Sequence, residues 1–193
     1  MKITSRGLRF LHKKTSLILS NLRRIFYLIM YPGISIHRSV HLDWGVRLKA
    51  TDGGSIHLSP GVSIERNSTI VAKYGKILIG ENTFIGEGSI LVANEQIKID
   101  SDCLFAAGVT IRDQNHRIDL STSIRNQGSI SAPIQIGRDV WLGSRVTVLK
   151  GVTIGDHAVA GANSLLITDV PPCVIVAGTP AKFIKVRPRS TSN

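Results

Sequence analysis

A period of six residues runs through most of this chain, and it restricts the possible folds more than any other feature. From Ile136 the sequence reads IGRDVW, LGSRVT, VLKGVT, IGDHAV, AGANSL, LITDVP. An aliphatic residue leads each block (Ile136, Leu142, Val148, Ile154, Ala160, Leu166). A small or β-branched residue stands four places later (Val140, Val146, Val152, Ala158, Ser164, Val170). The same frame fits IGENTF from Ile79, IGEGSI from Ile85, IDSDCL from Ile99 and FAAGVT from Phe105, with weaker copies at Ile36, Leu42, Leu58 and Ile64.

Six matches neither the 3.6-residue period of a helix nor the two-residue period of a strand. It suits a chain that turns a corner every six residues, so that three blocks close one triangular coil of about 18 residues. Each leading aliphatic then points into the prism and stacks on its equivalent one coil away, about 4.8 Å above. Glycine in the second place relieves crowding at the turns. Such a coil cannot bury its own face alone and relies on its neighbours. Coil starts at 36, 58, 79, 99, 136 and 154 give steps of 22, 21, 20, 37 and 18. The long step marks an inserted loop, placed at residues 117–135, rich in Ser, Thr, Asn and Gln.

Composition agrees with thin, repetitive β structure. Aromatics are 5% of the 193 residues, while glycine contributes 18. With 42% hydrophobic and 19% charged residues, wholesale disorder is excluded. Two cysteines, Cys103 and Cys173, make neither a disulfide framework nor a zinc cluster, which fits a reduced, cytoplasmic setting. The formal charge of +11 is concentrated at the N-terminus, where residues 1–42 carry eight Lys or Arg and no acid.

Residues 1–33 read as a basic amphipathic helix. Leu8, Leu11, Thr15, Ile18, Leu22, Ile25 and Ile29 step by three and four, and Tyr31-Pro32-Gly33 ends the run. Two readings stand: the apolar stripe packs on the main domain or between subunits, or residues 1–30 rest peripherally on an anionic inner-membrane surface. A membrane span is disfavoured because Ser20-Asn21 and Arg23-Arg24 interrupt the apolar run. No small-residue cleavage site of a signal peptide follows. Nucleic-acid binding lacks an aromatic platform or motif.

Six histidines are present, and most have ordinary explanations. His12 lies in the N-terminal helix, His37, His41 and His57 occupy early coils with no insertion beside them, and His157 fills a turn place tolerant of polar residues. His116 differs, since it ends the block IRDQNH immediately before the inserted loop, where a pocket wall is needed. Acyl transfer from a thioester to a hydroxyl needs a base of near-neutral pKa, and histidine supplies one.

The stretch Val140-Trp141-Leu142-Gly143-Ser144, the run Val148 to Gly155 and the ending Ala177-Gly178-Thr179-Pro180-Ala181-Lys182 resemble the hexapeptide-repeat acyltransferases. The match is to the branch holding maltose, galactoside, xenobiotic and polysaccharide O-acetyltransferases, over roughly residues 34–187. The resemblance implies an all-β fold, a left-handed parallel β-helix, followed by a flexible tail at 188–193. It implies a homotrimer and an acetyl-CoA co-substrate with no metal. His116 becomes the catalytic base for direct transfer to a saccharide, with Asp113, Asn94 or Asn115 orienting it.

Family members carry an asparagine one coil before that histidine. Here the region reads Phe84-Ile85-Gly86-Glu87-Gly88, so either Glu87 or Asn94 takes its place or the acceptor is held differently. By position, Trp141, Gly143, Ser144, Gly161 and Ala162 line the pantetheine arm of coenzyme A. Lys182 and Lys185 meet its phosphates, with Arg187 a further cation and Thr168 where relatives often have lysine. The expected acceptor is a cell-envelope saccharide. The alternatives are a free sugar, serine or antibiotic, or a non-catalytic β-helix scaffold. A β-helix carbonic anhydrase is disfavoured, because no second histidine neighbours His116.

Overall fold

The computed structural model describes residues 5–188, without the side chains of residues 5–14 and 16. The predicted tail therefore lies outside the described residues except for Pro188, and so do the side chains of Leu8 and Leu11. From Ile34 to Leu166 the chain visits three parallel sheets in rotation, interrupted once by an insertion. The first face stacks Ile34–Ile36, Ser55–Leu58, Lys76–Ile79, Gln96–Ile99, Ile134–Ile136 and Thr153–Ile154. The second runs from His41–Leu42 to Val174–Gly178 and is closed by the antiparallel strand Ala181–Val186. The third runs from Arg47–Thr51 to Leu165–Leu166. The result is a triangular parallel β-helix of about six turns.

The register follows the six-residue frame. Ile36, Leu58, Ile79, Ile99, Ile136 and Ile154 are successive partners on the first face, as the coil starts require. Every leading aliphatic is buried, and so are the small residues four places later. Phe105 is the largest fully buried side chain, which is why so few aromatics suffice. The glycine in second place answers coil spacing: a Cβ on Gly143 would lie 2.6 Å from the Ala162 nitrogen. The left-handed bend falls two places later, at Asp139, Arg145, His157 and Asn163, with φ between 53° and 63°.

The insertion departs from the predicted loop. It begins as an antiparallel ribbon, Gln114–His116 against Ser129–Ser131, with His116 opposite Ser129. Its tip holds a short 3-10 turn, Ile124–Asn126. The Gln127 amide binds the backbone of Asp119 and Thr122, so the polar residues fold the arm upon itself. Ile134 and Gln135, placed in the loop by the sequence reading, already belong to the first face.

The N-terminal helix, α1 (Ser5–Met30), also differs from expectation. It packs on the first coil, but through a polar face. The first coil has no strand beneath it, so its amides and carbonyls need partners. Ser20 accepts from Leu42 N–H at 2.9 Å, Arg23 donates to the Leu42 carbonyl at 3.0 Å, and the Tyr27 hydroxyl donates to the Val46 carbonyl at 2.7 Å. Ser20 and Tyr27 are 2% and 8% exposed, whereas Ile18 and Ile29 of the predicted stripe are 59% and 73% exposed. The polar face docks because it supplies partners to buried backbone groups of the first coil, each of which would cost about 1–3 kcal/mol unpaired.

Candidate active site

His116 stands at the end of the first ribbon strand and faces a cleft of about 550 Å³ at the edge between the third and first faces. Asn94, Asn115, Gln114, Lys73, Arg112 and Ser129 share its walls. No carboxylate among the described residues lines the cleft, and Lys73 and Arg112 give it positive charge. Among the described residues no side chain hydrogen-bonds the His116 imidazole. The Gln114 Oε1 is buried without a partner. Lys73, Arg112 and Gln114 were not singled out from the sequence, because they meet only once the coil register stacks residues about twenty positions apart.

Asp113 has a different task from the one expected of it. It is fully buried, and its carboxylate accepts from the N–H groups of Asn94 (2.8 Å), Glu95 (2.7 Å) and Gln96 (2.8 Å). Its carbonyl accepts from Ala132 N–H at 2.9 Å, across the base of the arm. Asp113 thus pins the root of the ribbon to the preceding coil, and no hydrogen bond joins its carboxylate to His116 among the described residues. Of the two replacements considered for the family asparagine, Asn94 shares the cleft with His116. Glu87 lies at the edge between the second and third faces, ion-paired to Arg66 at 3.2 Å.

The residues expected to hold coenzyme A come together elsewhere. Trp141 stacks between Leu104 and Val159 on the outside of the second face, and Ile175 and Lys185 continue the column. Trp141 and Leu104 are each 50% exposed. Gly143 and Gly161 occupy the same corner of successive coils, bonded to Ala160 and Val176 at 2.8 Å, with Ser144 and Ala162 exposed beside them. Lys182 and Lys185 project from the last strand, opposite Ala177 and Ile175. Small residues, an exposed ring and two cations fit an extended thiol arm ending in phosphates. Thr168 is not part of this group. It lines a small opening at the C-terminal end of the prism, with Phe183 and Asp169.

Arg187 is engaged within the chain. Its guanidinium donates to Asp139 at 2.8 Å, and Asp139 also meets His157 Nδ1 at 2.9 Å. The three side chains clamp the end of the last strand to two coils. The hydrogen bond from His157, then those from Arg187, hold the Asp139 carboxyl below its ordinary range. A depressed carboxyl stabilises the fold above its unfolded pKa of about 3.9, and that contribution is lost as pH falls through the folded value. Asp139→Asn keeps the left-handed bend and should lower the melting temperature at neutral pH by at most ~2–4 °C, since the pair is part exposed. Melting curves from neutral to acid pH should show this difference vanishing in acid; a constant difference would contradict it.

Cys103 fills the small interior place of its block, 1% exposed, and burial pushes its thiol up to about 12. It is core rather than nucleophile. No group of three metal-ligating side chains occurs among the described residues.

Comparison with known proteins bears on this arrangement. The family model for bacterial transferase hexapeptide (six repeats) matches residues 133–168, and that for the hexapeptide repeat of succinyl-transferase matches residues 76–112. A probable acetyltransferase of Mycobacterium tuberculosis is 32% identical over 86% of this chain and 56% of its own length. The galactoside O-acetyltransferase of Escherichia coli is 38% identical over 58% of this chain and 55% of its own. The chain thus spans little more than half the length of these curated relatives. Among solved structures, a maltose O-acetyltransferase from Clostridium difficile superposes with a TM-score of 0.56 at 28% identity, over 76% of this chain and 71% of that one.

Proposed function

The chain belongs to the hexapeptide-repeat transferases, and from that premise we propose that it is an acetyl-CoA-dependent O-acetyltransferase acting on a saccharide hydroxyl. The observation that carries this reading is His116, held out on an ordered ribbon into an open cleft and free of any side-chain partner among the described residues. The His116 imidazole takes the proton of the acceptor hydroxyl as that oxygen attacks the thioester carbonyl. Collapse of the tetrahedral intermediate breaks the C–S bond, and the proton passes to the departing thiolate. The products are an acetyl ester and free coenzyme A. No acyl-enzyme is formed, and neither cysteine is needed.

The His116 cleft and the Trp141–Lys182 group lie on different parts of one prism, and Trp141 and Lys182 are not among the residues lining the cleft. We infer that in a trimer the arm of one copy packs against the second face of the next. The half-exposed Trp141 and Leu104, and the exposed Ile118, Leu120 and Ile124 of the arm, are apolar surfaces suited to that contact. Lys73 and Arg112 favour an acceptor bearing negative charge, as acidic cell-envelope glycans do.

The test is transfer of labelled acetyl from acetyl-CoA to a panel of neutral and acidic oligosaccharides. The expected result is a base-labile saccharide ester formed by a trimer. Replacing Lys73 and Arg112 with alanine should raise KM for an acidic acceptor ~10-fold, and barely alter it for a neutral one. Transfer only to serine or an antibiotic would overturn the saccharide reading. No transfer to any acceptor would leave a β-helix scaffold.

A further inference from the structure

The second half of α1 leaves a broad apolar surface uncovered. At 100° per residue, Ile18, Leu22, Ile25 and Ile29 fall within an arc of about 60°. That arc lies on the opposite side of the helix from Ser20 and Tyr27, the residues that dock on the first coil. Phe26 borders it, also more than half exposed. The helix is therefore fixed to the prism in one rotational setting, with its apolar side turned away from the protein. A surface of this kind in a water-facing chain has a partner.

Charge identifies that partner. The first 42 residues carry eight Lys or Arg and no Asp or Glu. Pairing this helix with its copy in another chain would bring two cationic segments together with no acid in either to neutralise them. An anionic bilayer supplies both what the arc needs and what the charges need: acyl chains for the apolar side and phosphates for the cations. No helix among the described residues is long and apolar enough to cross a membrane, so the contact is interfacial. We propose that α1 is a membrane-surface anchor, lying in the headgroup region of an anionic phospholipid bilayer through Ile18, Leu22, Ile25 and Ile29. This inference goes beyond the acetyltransferase reading and does not depend on it.

The test is flotation of the full chain with phosphatidylcholine vesicles, with and without phosphatidylglycerol. Binding is expected to the anionic vesicles, ~10-fold or more above the neutral ones, and to weaken with salt. The double variant Ile18→Glu/Ile25→Glu should lose that binding ~10-fold or more while melting as the wild type does, because both side chains are exposed. Failure of the wild-type chain to float with anionic vesicles would overturn the proposal. So would a variant that binds vesicles normally but changes oligomeric state, since a second copy would then cover the arc.

Discussion

His116→Ala is expected to lower acetyl transfer roughly 10²–10⁴-fold, the range that loss of a general base commonly costs. The fold should be unaffected, because His116 sits at the exposed end of the ribbon and no side chain depends on its ring among the described residues. Binding of acetyl-CoA should also persist, since the residues expected to hold it lie on the second face and its last strand. The combination is informative. Lost turnover with retained donor binding and retained melting temperature is the signature of a missing proton acceptor. A variant as active as the wild type would remove His116 from the chemistry and leave this histidine an ordinary residue of the arm.

Asp113→Ala is expected to have the larger effect on stability. Three backbone N–H groups, from Asn94, Glu95 and Gln96, would lose the buried carboxylate that accepts from them at a part-buried corner. Hydrogen bonds to a charged group contribute about 1.5–3 kcal/mol each, but the three share one side chain and do not simply add. A loss on the order of 3–5 kcal/mol follows, or a melting temperature lower by roughly 10 °C. Activity should fall even well below that temperature, because the same corner roots the ribbon that carries His116. Asp113→Asn retains an acceptor oxygen and should fall between the two in melting temperature. Equal stability of Asp113→Ala and wild type would contradict the pinning role assigned to this residue.

The β-helix was legible because its cause is local and repeated. Each coil demands the same residue types at the same places, so the stack from Ile36 to Ile154 can be read by counting. His116 was legible as the last residue before a break in that count. What the sequence could not convey is how the unrepeated parts close the repeat. Asp113 looks like any acid beside a histidine until the coil beneath it presents three amides. The helix stripe looks like core until the open first coil asks for Ser20, Arg23 and Tyr27 instead. Arg187 reads as a free cation until Asp139, far away in sequence, meets it at 2.8 Å. In each case the deciding partner is a backbone group or a distant side chain, which no local pattern encodes.

If this β-helix takes its acyl group from acetyl-CoA, calorimetric titration of the purified chain with that donor should give saturable binding of one molecule per chain, weakened when Lys182 is replaced by alanine. No measurable heat at millimolar donor would contradict this assignment.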